Sequence, residues 1–196
     1  MQSLILKGEF INLRPLCIDD AERTFLWRHA QRAKFLNAAA VSIEDQAAWI
    51  AGRPLSEYNF IIELKNGNPV GMLSLTSIDM TSRQGEPGRF LIGDEEAVRG
   101  LPVAVEAMKL LYELAFKQLG LVRLYGVVAA NNQLMLKWHK YLGMKEESRL
   151  KNHLCLGGRF IDGILVGLSV VEYQKVTLQR MNVLITTSRR PLSDKS

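Results

Sequence analysis

No apolar run in the chain approaches the ~18 residues needed to cross a bilayer, and residues 1–10 lack the basic-then-apolar layout of an export signal. An unexported, cytoplasmic protein that does not enter the membrane is therefore expected. Cysteine is scarce: Cys17 and Cys155 stand far apart with no partner pattern, so no disulfide framework is implied. The three histidines show no ligand-type spacing, so no metal site is expected. There are no internal repeats and no low-complexity linker, and 196 residues suffice for one domain with a core of its own. A general basic surface is missing too. Of the net charge of +5, most lies after residue 173, where Lys175, Arg180, Arg189, Arg190 and Lys195 face only Asp194. A domain over 1–173 followed by a solvated basic extension over 174–196 is the plain reading, with an anionic partner for that extension as the alternative. No RNA-binding or helix-turn-helix pattern supports a nucleic-acid partner.

What is present is a hydrophobic content of 47% with 23% charged residues, ordinary for a globular chain. Leu4 to Leu16 alternates apolar and polar residues around Gly8 and predicts a strand ended near Pro15. Asp19 then opens a helix over Ala21 to Ala33. Ser42 and Asp45 open a second, which Gly52 and Pro54 close. Tyr58 to Leu64 and Pro69 to Ile78 flank Asn66-Gly67, a pair that supplies positive φ cheaply, and so predict a hairpin. Glu86 to Gly93 follows as a further strand. Pro102 to Leu119 carries apolar residues at helical spacing, with Gly120 just beyond its end. Val122 to Val128 predicts a strand, Gln133 to Tyr141 a short helix stopped by Gly143, and Phe160 to Val171 a last strand. This order is mixed α/β around one central sheet.

Four local patterns carry chemistry. The first is Val98-Arg-Gly-Leu-Pro-Val-Ala-Val-Glu-Ala107, a turn entering the long helix, where free N–H groups and the positive end of the helix dipole suit an anion. The second is Asn132-Gln-Leu-Met-Leu-Lys-Trp-His-Lys-Tyr-Leu-Gly143. The third is Gln84-Gly-Glu-Pro-Gly-Arg-Phe-Leu-Ile-Gly93, and the fourth runs from Gly157-Gly-Arg-Phe-Ile-Asp162 to Tyr173. Their order and spacing resemble the GNAT superfamily of N-acetyltransferases from about residue 8 to residue 173, on the side of the ribosomal-protein N-terminal and nucleotide-sugar amine acetyltransferases.

That resemblance implies a central sheet of about six to seven strands, splayed at a coenzyme cleft and flanked by about four helices. It implies acetyl-CoA as cosubstrate, no metal, and direct attack by a primary amine in a ternary complex. Arg99, Gly100, Leu101, Val103 and Ala104 correspond to the pyrophosphate loop, with Pro102 standing where the family usually has glycine and removing one donor. Asn132 corresponds to the side chain that meets the pantetheine arm. The backbone of Phe90, Leu91 and Ile92 corresponds to the donors for the thioester carbonyl. Glu86 is the candidate base for an amine of pKa near ~10. His139 stands where the family often has tyrosine and is the candidate proton donor to the departing sulfur.

Trp27, Arg28 and Trp49 resemble acceptor-binding elements of enzymes acting on nucleotide-linked amino sugars, although both tryptophans also suit helix cores. Asp162 fits a turn as well as it fits substrate. An amino-sugar amine is the first expectation for the acceptor and a protein N-terminal amine the second. An acyl-CoA sensor without turnover, motivated by Pro102, is the rival class. The apolar stretch Val176 to Thr187 is compatible with packing on a second copy, hence a homodimer.

Overall fold

A computed structural model describes residues 4–188; Arg189, Arg190, Asp194 and Lys195 lie outside them. The alternating run at the start forms two strands, β1 (Leu6–Lys7) and β2 (Ile11–Pro15), because the chain turns at Gly8. Helix α1 (Ala21–His29) follows a single tight turn, and α2 (Ile43–Ala51) begins at Ser42, whose hydroxyl accepts the Asp45 amide at 3.1 Å. Next come β3 (Tyr58–Leu64), β4 (Pro69–Asp79) and β5 (Gln84–Ile92). Helix α3 (Val103–Glu113) continues through a widened turn in which the Leu119 amide donates to Leu114 O. Then follow β6 (Arg123–Ala129), α4 (Gln133–Tyr141), β7 (Lys145–Leu156) and β8 (Arg159–Ser169). The described chain closes with α5 (Val170–Glu172), a wide turn, and α6 (Leu178–Thr187).

The strands make one sheet of eight in the order β1-β2-β3-β4-β5-β6-β8-β7, more than the six to seven expected. One extra strand comes from the Gly8 turn. The other is β7, which reads Lys-Glu-Glu-Ser-Arg-Leu-Lys-Asn-His-Leu-Cys-Leu and is mostly exposed, so no buried face imposes an alternation on its sequence. Every neighbouring pair is antiparallel except β5 with β6. The main core lies between the sheet and α3 together with the C-terminal helices, where Ile11, Leu13, Leu73, Leu75, Leu111, Tyr112 and Tyr173 are almost wholly buried.

Two polar devices join distant parts of this core. Glu106, in the first turn of α3, accepts the amides of Glu9, Phe10 and Ile11 at 2.5, 2.8 and 3.0 Å. The buried carboxylate is thereby satisfied and the start of α3 is tied to the β1–β2 turn. Arg14 of β2 clasps Asp20 at 2.7 Å with both terminal nitrogens. Burial alone would raise the Asp20 carboxyl, but the hydrogen bonds and charge of Arg14 and the Cys17 amide outweigh it and hold the group below the usual range.

The boundary expected at residue 173 falls inside the closing helical run. Thr177, Met181 and Ile185 are buried there, and Tyr173 stacks on Phe116 at 4.7 Å between ring centres. Thr177 and Arg180 also donate to the carbonyls of Leu142 and Tyr141, at the end of α4. Through Thr187 this segment is a structural helix rather than a solvated tail, and the apolar face that suggested a second copy is largely covered by its own chain.

Candidate active site

Strands β5 and β6 pair only at Gln84↔Arg123 and Gly85↔Leu124. Beyond that point β6 stays on β8 through Ala129 while β5 stays on β4, so the two part and their facing edges lose ladder partners. Between them opens a cavity of about 860 Å³. Glu86, Pro87, Gly88, Arg89 and Phe90 form one wall, and Tyr125 to Ala129 form the other. Met108 and Leu111 of α3, with Met144 and Leu154, supply apolar lining. The size is that of a small-molecule site, and unpaired strand edges inside it offer main-chain donors and acceptors to whatever enters.

Six of the side chains singled out from sequence meet here: Glu86, Phe90, Asn132, His139, Arg28 and Trp49 all line the cavity. Glu86 is half-buried, and its Oε2 accepts from Ser77 Oγ at 3.2 Å. Asn132 caps α4, its Oδ1 accepting the Met135 amide at 3.3 Å, which leaves its Nδ2 donors without protein partners among the described residues. His139 sits one face along the same helix with Nδ1 buried and unpaired. Burial pushes its imidazole down to about 4, so the ring is neutral at neutral pH. A neutral ring has one N–H donor and one lone pair, which suits a hydrogen bond more than delivery of a full proton.

The pyrophosphate-loop residues stand apart from the cavity. Gly100 holds a left-handed φ of 78° and a Cβ there would meet nothing, while Arg99 and Leu101 are exposed and Arg99 pairs with Glu96. Pro102 is the residue before the first turn of α3 and provides no side-chain cap. The first helical bond runs from the Glu106 amide to Pro102 O, so the amides of Val103, Ala104 and Val105 open the helix without an acceptor among the described residues. Val103 is buried and Ala104 partly so. Met108 lies five residues on, about 8 Å along the helix axis, and already lines the cavity. An uncapped helix start leading into a splayed sheet fits a long thiol coenzyme with an anionic head.

Four expected site residues lie elsewhere. Trp27 does not line the cavity; its ring covers Gly93 so closely that a Cβ there would come within 2.2 Å of Cδ2. Partly buried, it packs against a second small core of Ala33, Ile61, Met72 and Leu91. Leu91 is itself buried in that core. The Ile92 carbonyl accepts from Arg32 at 2.7 Å. Asp162 accepts from Arg149 at 2.8 Å, from Lys151 at 3.3 Å and from the Asn152 amide at 3.0 Å, so it fixes a bulge in β7. The Asn152 amide and these cations hold its carboxyl down at about 2.

The structure adds Arg89, Arg53 and Glu57, which sequence reasoning missed. Arg89 donates to Glu57 at 2.7 Å and to Asn59 at 2.8 Å, and both arginines lie over the Trp49 ring, at 4.3 Å for Arg53 and 5.2 Å for Arg89. Only Arg89 carried a local signal: it sits inside the Glu86-to-Gly93 pattern. Its φ of 51° is costly for a residue with a Cβ and marks a constrained site.

Residues 11–145 match the model of the acetyltransferase (GNAT) domain. The chain is 28% identical over 118 residues to the spermidine N(1)-acetyltransferase of Escherichia coli (strain K12), covering 60% of this chain and 61% of that protein. It therefore spans about three fifths of the length of that curated relative. In fold it is similar to a GCN5-related N-acetyltransferase from Brucella melitensis, with a TM-score of 0.78, 19% identity, and coverage of 94% of this chain and 86% of that one. It is also similar to a structure from Vibrio cholerae provisionally assigned as a ribosomal-protein-serine acetyltransferase, with a TM-score of 0.68, 22% identity, and coverage of 86% and 99%. With more than half of its length matched by the family model and with the eight-stranded sheet parting between β5 and β6, the chain belongs to the GNAT acetyltransferase family.

Proposed function

We propose that the chain is an acetyl-CoA-dependent N-acetyltransferase acting on a primary amine by direct attack within a ternary complex. The observation that carries this reading is the parting of β5 from β6 beside Glu86 and His139, downstream of an uncapped helix start. Acetyl-CoA, when bound, supplies an activated acetyl thioester. The amides of Val103, Ala104 and Val105, with Gly100 permitting close approach, would hold its diphosphate. Asn132 would hold its pantetheine arm through Nδ2, and the free edge of β5 near Phe90 would offer amides to the carbonyl as charge develops on it.

Glu86 accepts the proton that the protonated amine must lose, directly or through one water. Among the described residues its carboxylate is met by one side chain, the Ser77 hydroxyl, which brings no opposing charge and leaves the second oxygen available. His139, kept neutral by burial, donates one N–H to the sulfur region and lowers the cost of charge there without transferring a whole proton.

A small-molecule amine is the first acceptor class, supported by the likeness to a protein named for spermidine acetylation. A protein N-terminal amine is the second, favoured by the Vibrio cholerae neighbour. The nucleotide-linked amino sugar expected from α1 and α2 finds no support among these relatives, and Trp27, part of the pattern that suggested it, packs against the second core and does not line the cavity. Calorimetric titration with acetyl-CoA, followed by thiol release with a panel of amines, is the test. Saturable micromolar binding and amine-dependent release are expected. Absence of heat at millimolar coenzyme would remove the reading, and binding without release for any amine would leave only the acyl-CoA sensor.

A further inference from the structure

The charged groups lining the cavity are four arginines, Arg28, Arg32, Arg53 and Arg89, and three carboxylates, Asp45, Glu57 and Glu86. Most of these charges are answered within the protein. Glu57 takes Arg89 at 2.7 Å and Arg53 at 3.9 Å, Glu95 at the rim takes Arg32, and Asp45 accepts from Ser42. Among the four arginines Arg28 is the exception. Among the described residues no carboxylate lies within ion-pair distance of it; its Nη2 donates to the carbonyls of Asn37 and Ala38 at 2.6 and 3.2 Å, its Nε is buried with no partner, and no hydrogen bond reaches its Nη1. Burial and the nearby charge of Arg89 both work against the cation.

A guanidinium that is partly desolvated, unpaired and beside a second guanidinium costs free energy in the folded state. The two carbonyls hold it in one orientation, so little side-chain freedom remains to be lost when a ligand arrives. Such a fork matches the geometry of a carboxylate or phosphate, and one anion there would do for Arg28 what Glu57 does for Arg89. A second cationic centre in the ligand would meet repulsion instead.

We propose that the acceptor carries an anionic group, a carboxylate or a phosphate, apart from its reacting amine, and that Arg28 binds it. The proposal rests on the N-acetyltransferase reading above and narrows its substrate class away from polyamines. Trp49, which also lines the cavity, lies under Arg53 and Arg89 and helps to hold those two guanidiniums on the same wall.

The test uses the full chain saturated with acetyl-CoA and compares thiol release with propylamine, 1,3-diaminopropane, 3-aminopropanoate and 2-aminoethyl phosphate. At least about tenfold higher kcat/KM is expected for an anionic amine than for propylamine, with the diamine poorest, and the two anionic arms separate carboxylate from phosphate. Arg28→Gln should shrink that preference to within about twofold through KM, and Arg28→Lys, which keeps the charge without the fork, should restore part of it. Equal or better turnover of the neutral amine or the diamine, or a preference that survives Arg28→Gln, overturns the proposal while leaving the acetyltransferase reading intact. Should no member of the panel turn over, titration of inorganic phosphate and of acetate into the acetyl-CoA-saturated protein decides. Heat with the native protein that Arg28→Gln removes supports the proposal, and absence of heat overturns it. If acetyl-CoA itself fails to bind, the acetyltransferase reading falls first and takes this proposal with it. Should Arg28→Gln not fold, the acceptor ranking of the native protein and of Arg28→Lys carries the same decision.

Discussion

The two ends of the proposed site, one for coenzyme and one for acceptor, are built from different materials. The coenzyme end is main chain: the free amides opening α3, a left-handed glycine, and strand edges released where β5 and β6 part. The acceptor end is side chain: Arg28, Trp49, Arg53, Glu57 and Arg89, drawn from α1, α2, the α2–β3 connection and β5. Main-chain groups keep their hydrogen-bonding capacity whatever residue carries them, so the first end tolerates substitutions that leave the backbone path alone. The second end has no such reserve, and each contact there depends on one side chain arriving from a distant element.

If this contrast is right, deleting a side chain at the reacting centre must cost far more than deleting one at the coenzyme loop. The largest effect is expected from Glu86→Gln, with kcat/KM falling about 10²–10³-fold near neutral pH. The loss should shrink as pH rises toward the amine's own pKa near ~10, where the nucleophile deprotonates unaided. A pH–rate profile with equal loss at every pH removes Glu86 from the role of base.

Gly93→Ala comes next. A Cβ forced to within 2.2 Å of the Trp27 ring must displace α1, and about 1–3 kcal/mol of stability should go in a denaturant titration. Acceptor KM should rise while coenzyme binding holds, because α1 also carries Arg28. An equal weakening of both would blur the division between the two ends.

His139 gives a pH signature of similar size. Its folded value of about 4 lies below the unfolded ~6.5. The unfolded chain therefore binds the extra proton, and stability falls as pH drops from about 6.5 to about 4, by on the order of 1–3 kcal/mol. His139→Asn should flatten that part of the curve and slow catalysis with little change in coenzyme affinity. An unaltered acid limb in thermal unfolding would show that the ring is not desolvated in solution.

Smaller still is Pro102→Gly, which restores one donor to the helix start; about a two- to fivefold tighter coenzyme Kd is expected from calorimetry. Arg99→Ala should be smallest, at most about threefold, since its side chain is 77% exposed and its pairing with Glu96 is screened by water. A tenfold loss there would make the coenzyme end a side-chain site after all.

Legibility in the sequence follows the same division. The turn at Asn66-Gly67, the helix after Pro102 and the short helix from Gln133 to Tyr141 were readable because each is dictated by local backbone chemistry. Glu86 and His139 were found through the resemblance and do line the cavity. Trp27 and Trp49 looked alike, as aromatics in amphipathic helices, and only the fold separates them: one faces Gly93, the other Arg53 and Arg89. Glu57 was invisible because its importance lies in Arg89, thirty-two positions away. Strand β7 escaped for want of a buried face, and the closing helix was misjudged because its basic residues drew attention from Thr177, Met181 and Ile185.

The three amides gripping Glu106 give the protein an unexpected mechanical link. They fasten the β1–β2 turn to the very helix whose start is proposed to hold the diphosphate, across a sequence separation of 95 to 97 residues. A fusion partner or deletion that disturbs that turn should thus register as altered coenzyme handling, far from where the change was made. Conversely, filling the helix start with ligand should slow hydrogen exchange at the Phe10 and Ile11 amides, so that the leading edge of the sheet reports on occupancy.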